Sequence, residues 1–129
     1  MKVRVINKGG ALDKKNYKLY EKFIQFLQSK IPLKKEVKII LTKERIGKMT
    51  TGSRTPKNEM MILTKKRINR DILRTLAHEW VHEYQRTILK RPHGPNIGGI
   101  NEDEANAFAG QLMKIFEKKY PSLEEKMYE

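Results

Sequence analysis

The chain has 129 residues, of which 38% are hydrophobic, enough for one modest core but not two; residues 1–129 are therefore expected to form a single domain, and a large multidomain enzyme is excluded. It contains no cysteine, which excludes a disulfide framework and a thiolate metal site, so any metal must be held by His, Asp or Glu. With 28 Lys and Arg against 15 Asp and Glu, the formal charge of +13 implies attraction to a polyanion, whether nucleic acid, an anionic membrane surface or an acidic polypeptide, and reads equally well as a Lys-rich solvated surface.

The pattern from Lys2 to Asn7 alternates like a short strand and ends at Gly9-Gly10. From Lys14 to about Lys30, Tyr17, Tyr20, Phe23, Ile24, Phe26 and Leu27 recur at helical spacing, and Pro32 stops the run. Glu36 to Arg45 reads as a strand from its β-branched content, Met49 to Asn58 as a loop, and Glu59 to Thr64 as another strand. A helix is expected from about Arg70 to Leu89. An irregular stretch rich in Pro and Gly follows, and then a last helix capped by Asn101, with a core stripe of Ala105, Phe108, Ala109, Leu112, Ile115 and Phe116. Pro121 ends that helix, and the acidic tail Glu124 to Glu129 is expected to be mobile. The first residues lack the apolar core of a signal peptide and no stretch approaches a membrane span, so a cytoplasmic location is expected.

The most specific feature is His78-Glu79-Trp80-Val81-His82, an HExxH motif inside the expected helix. A helix turns about 100° per residue, so the two histidines lie about 40° apart on one face, one turn from each other, where both can reach one metal ion. Glu79 lies about 100° round from His78, within reach of a water on that metal without being a ligand. Leu73, Leu76, Ala77, Trp80, Tyr84 and Ile88 form the opposite, apolar face.

A catalytic zinc site commonly uses three protein ligands, which leaves one to find. Gln85 and Ile88 stand where a metzincin needs Gly and His, so that extended motif is absent. On the last helix Glu104 falls at one edge of the stripe, about 80° from its centre, and is the preferred candidate; Glu102 lies on the opposite edge and ranks below it.

HEWVH followed downstream by Asn101-Glu102-Asp103-Glu104-Ala105-Asn106-Ala107-Phe108-Ala109 resembles the gluzincin arrangement, in which a second helix supplies a glutamate ligand. The EANAFA stretch is similar to ImmA/IrrE-like metallopeptidases, and the order of elements to the minigluzincins. The resemblance covers Leu73 to Gly110. It implies a zincin-like α+β fold, a short mixed sheet packed on the HExxH helix and a following glutamate helix. It also implies Zn2+ held by His78, His82 and Glu104, with Glu79 as general base in peptide hydrolysis. Pro92-His93-Gly94-Pro95 resembles instead the third-ligand loop of SprT-like proteases, which act on DNA-associated protein. His93 therefore stands as a solvated loop residue, as alternative ligand or as a transition-state hydrogen-bond donor. A non-catalytic module that binds nucleic acid through the basic surface is the competing class, although an intact Glu79 argues against it. The strand Glu59 to Thr64, by analogy with gluzincins, is the one expected to align an extended substrate.

Overall fold

A computed structural model of the chain describes residues 3–45, 49–55, 57–91 and 99–129. It is an α+β structure with a mixed sheet of four strands, β1 (Val3–Asn7), β2 (Val37–Thr42), β3 (Gly52–Arg54) and β4 (Glu59–Leu63), in the order β1-β2-β4-β3. β1, β2 and β4 are mutually parallel, and β3 runs antiparallel to β4. The helices are α1 (Tyr17–Lys30), α2 (Asn69–Thr87), α3 (Ile100–Lys119) and the short α4 (Glu124–Met127).

Parallel neighbours need a crossover, and α1 supplies the one between β1 and β2. Gly9 and Gly10, at φ 63° and 69°, let the chain leave β1 through a left-handed turn that a side chain would resist. Along β2 and β4 the alternate residues Val37, Ile39, Leu41, Met60 and Ile62 are almost fully buried, so one face of the sheet forms the floor of the core. On that floor lie Phe23 and Phe26 of α1, Trp80 of α2 and Phe116 of α3. The rings of Phe23 and Phe116 meet edge to face at 4.9 Å. The Trp80 Nε1–H donates to the Ile31 carbonyl at 2.7 Å, which ties the start of the α1–β2 connection to α2.

Four features differ from the sequence expectation. α3 begins at Ile100 with Gly99 as its N-cap, so Asn101 lies inside the helix instead of capping it. The stretch Met49 to Asn58, read as a loop, contains β3, so β4 has partners on both sides and β3 is the sheet edge beside α2. The role of aligning a substrate by main-chain pairing therefore cannot fall to β4. The core stripe of α3 is Ala105, Ala109, Leu112, Met113 and Phe116, whereas Phe108 and Ile115 are 42% and 45% exposed. The acidic tail is docked: Met127 is buried, the Asn69 N–H donates to the Glu129 carbonyl at 2.8 Å, and Asn69 Nδ2 donates to the Lys126 carbonyl at 2.8 Å. The Glu129 and Lys126 carbonyls thus both accept from Asn69 at the start of α2, which offsets the entropy of ordering the tail. None of the described helices is long and apolar enough to cross a membrane.

Candidate metal centre

Leu73, Leu76, Ala77 and Trp80 are fully buried, which fixes the rotation of α2 about its axis and turns His78 and His82 towards α3. Their rings stand edge to face, with centroids 4.6 Å apart, and the two Nε2 atoms approach to 3.1 Å. In the first turn of α3, Glu102 sends Oε1 to 3.0 Å from His78 Nε2 and Oε2 to 2.9 Å from His82 Nε2. The ligand atoms of these three residues all lie within 4.8 Å of one another. Zinc–nitrogen bonds of about 2.0–2.1 Å set the edges of a coordination tetrahedron near ~3.3 Å, so this donor set has nearly the spacing that one metal ion requires.

The hydrogen bonds behind the histidines favour the same use. Gln85, fully buried, donates from Nε2 to the Asn101 carbonyl and to Glu104 Oε1, each at 3.0 Å. Its Oε1 is thereby the end that faces His82 Nδ1, at 2.9 Å. A carbonyl oxygen only accepts, so Nδ1 carries the proton and the Nε2 lone pair of His82 is left for the centre. Burial pulls the His78 pKa down and the neighbouring His82 lowers it further, which favours the neutral, ligating imidazole.

Glu104, the preferred carboxylate of the sequence reading, points elsewhere. Its Oε1 accepts from Arg91 Nη1 at 2.7 Å and from Gln85 Nε2 at 3.0 Å. The Gln85 hydrogen bond is the largest cause that holds its carboxyl below the ordinary range; burial opposes it, and Arg91 adds to the lowering. The rotation of α3 explains the exchange. With Met113 inside and Phe108 and Ile115 outside, the buried stripe centres about 40° further round than the sequence stripe, which leaves Glu102 about 35° and Glu104 about 125° from its centre. Glu104 reaches the site only through Gln85. His93 lies outside the described residues.

Glu79, one residue after His78, is 7% exposed and shares the cleft with the triad. Burial raises its pKa, while His82 and Arg54 act in the opposite direction. The Arg54 Nε lies 3.5 Å from Glu79 Oε1, across from β3. Burial in turn lowers the Arg54 pKa, opposed by Glu79. β3 comes this close only because residue 52 is glycine: a Cβ there would lie 2.7 Å from Thr75 Cγ2 and 3.2 Å from Glu79 Cγ. Gly52 and Arg54 are the site residues that the sequence reading missed, since a three-residue strand with no apolar alternation carries no strand signal of its own. Arg86, about two turns after His78 on α2, is paired with Glu83 and Asn58.

The triad and Glu79 stand in one open cleft of about 480 Å³ between β3, α2 and the start of α3. In β3 the N–H and C=O groups alternate in direction. Thr55 N–H donates to Glu59 O and Leu63 N–H to Thr51 O, so residues 51, 53 and 55 are turned to β4, and the main-chain groups of Gly52 and Arg54 face the open edge. Comparison of the chain with protein families, with curated proteins and with solved structures finds no match.

Proposed function

We propose that the protein is a zinc-dependent peptide hydrolase of the gluzincin type. The observation that carries the reading is the convergence of His78 Nε2, His82 Nε2 and the Glu102 carboxylate on one point of an open cleft that Glu79 also lines. Two imidazoles and one carboxylate are a three-ligand set suited to zinc with a coordination position left free. When bound there, such an ion acidifies a water molecule and polarises a carbonyl.

The chain's own residues would supply the rest. Glu79 accepts the proton of the attacking water and then delivers it to the leaving amine; its burial brings its proton affinity nearer to neutrality, where a carboxylate exchanges protons efficiently in both directions. Arg54 keeps that carboxylate oriented and limits the rise. An extended substrate segment pairs with the outward N–H and C=O groups of Gly52 and Arg54, a role moved from β4 to the true edge of the sheet. Gln85, anchored by Glu104, holds His82 in the ligating tautomer.

The test is a pair of measurements on purified protein incubated with zinc. Wild type is expected to hold one zinc per chain and to cleave denatured proteins, with activity lost to a chelator. Glu79→Gln should hold the same zinc and lose activity by roughly 100-fold or more, because it removes the proton acceptor and leaves the ligands. Wild type without zinc after incubation, or Glu79→Gln as active as wild type, would reject the proposal.

A further inference from the structure

The lining of the cleft contains no apolar side chain among the described residues: apart from Gly52, its walls are threonines, a serine, an asparagine, the triad, Glu79 and two arginines. A pocket for a substrate side chain normally matches what it receives, since a buried polar wall left against an apolar group loses its hydrogen bonds without replacement. A bulky apolar residue beside the scissile bond therefore finds no matching wall here.

The two arginines differ. Arg54 is already committed to Glu79. Arg74 lies one turn before His78 on the same face of α2, so along that face Arg74, His78 and His82 succeed one another at intervals of four residues. Its Nη2 leans across to α3, 3.7 Å from where a Cβ of Gly110 would stand, and no carboxylate among the described residues pairs with it. The acidic groups of the cleft are engaged already, Glu79 with Arg54 and Glu102 with the histidines. Arg74 is thus a guanidinium with its fork free, at the wall of a polar cleft, about 6 Å along the helix from the first histidine.

From these features we infer that the cleft selects peptide segments carrying an acidic side chain near the scissile bond, with Arg74 as the residue that receives that carboxylate. This rests on the hydrolase reading for the word scissile, but the recognition itself does not require turnover. An extended chain advances about 3.3–3.6 Å per residue, so the recognised Asp or Glu lies about two residues from the carbonyl held at the centre. A free guanidinium matches a carboxylate with two parallel hydrogen bonds, which a glutamine side chain cannot reproduce with equal charge. The formal charge of +13 adds attraction at longer range for the acidic regions of a substrate.

The experiment uses a set of peptides identical except at one flanking position, which is Glu, Gln or Lys and is scanned over two residues on either side of the bond cut. Zinc-loaded wild type should favour Glu over Gln by roughly tenfold in kcat/KM at one of these positions, mainly through KM, and the preference should shrink as salt is raised. Arg74→Lys should keep the order of preference, whereas Arg74→Glu should reverse it in favour of Lys. Binding of the same peptides to Glu79→Gln, measured by calorimetry, gives a readout independent of turnover. The Glu peptide should bind about tenfold more tightly than the Gln peptide, and that order should reverse in the Glu79→Gln, Arg74→Glu double variant. Equal binding of Glu and Gln peptides to Glu79→Gln would overturn the inference even if wild type hydrolyses both. Arg74-dependent binding without hydrolysis of any peptide by wild type would uphold it and reject the hydrolase instead. Thermal melting of each variant confirms that the fold is kept.

Discussion

Glu102 and Glu104 sit two positions apart on α3 and have different tasks, one facing the histidine pair and the other bracing Gln85 behind it. In the proposed centre, Glu102→Ala removes a ligand, so the variant should lose zinc at equimolar metal, and added zinc should no longer raise its melting temperature. Glu104→Ala should keep the full stoichiometry while metal affinity falls by about 10–100-fold, the usual effect of losing a group behind a ligand. Metal titrations followed by melting separate the two; full zinc retention by Glu102→Ala would remove that residue from the centre. The HEWVH spacing was legible because both histidines lie within one turn of one helix. The choice between the two glutamates was not. It depends on about 40° of helix rotation, and that rotation was hidden because Phe108 and Ile115 have the hydrophobicity of core residues but are exposed, while Met113 takes the inner position.

At the scale of elements, β3 shows what a periodicity cannot reveal. β2 and β4 announce themselves by their runs of Val, Ile, Leu and Met, whereas Gly52-Ser53-Arg54 becomes a strand only by pairing with Met60 to Ile62. The docked tail was unreadable for a similar reason, since Asn69, which fixes it, lies 57 residues before Lys126. Gly52 is the contact that sets the gap between β3 and α2. Gly52→Ala should push the strand from the helix and cost roughly 1–3 kcal/mol of stability by overpacking, together with most of the proposed activity. Adding Thr75→Ser deletes the Cγ2 that the new methyl would strike while keeping the hydroxyl that bonds Arg67 and the Asp71 carbonyl. The double variant should recover much of the melting temperature. No recovery would mean that the methyl is not what displaces the strand.

At the scale of the molecule, one buried polar node joins three helices. The Tyr20 hydroxyl of α1 donates at 2.8 Å to Asn69 Oδ1 at the start of α2, and Asn69 in turn holds the segment of α4. Burial pushes the Tyr20 phenol well above its ordinary value, with Arg67 opposing. The sign follows: above pH ~10 the unfolded chain ionises this group and the folded protein does not, so the stability it contributes is full below that pH and is lost as pH rises. Tyr20→Phe should therefore be less stable than wild type near pH 8, by about 1–2 kcal/mol for the lost hydrogen bond, and the gap should narrow above pH ~10. Denaturant unfolding at both pH values measures it; a constant gap would show that the phenol titrates equally in both states. The sheet order has a further consequence, for colloidal behaviour. β3, the end that serves the cleft, is three residues long and carries Arg54, and such short charged edges recruit other chains poorly. The opposite end, β1, is five residues long, pairs only with β2 among the described strands, and leaves Val5 46% and Ile6 41% exposed. Copies of the protein kept apart in dilute buffer by their shared positive charge should thus begin to stack through β1 once that repulsion is screened. Light scattering should rise with salt in wild type and stay low in Val5→Lys, so the edge that lines the cleft and the edge expected to self-associate are at opposite ends of one sheet.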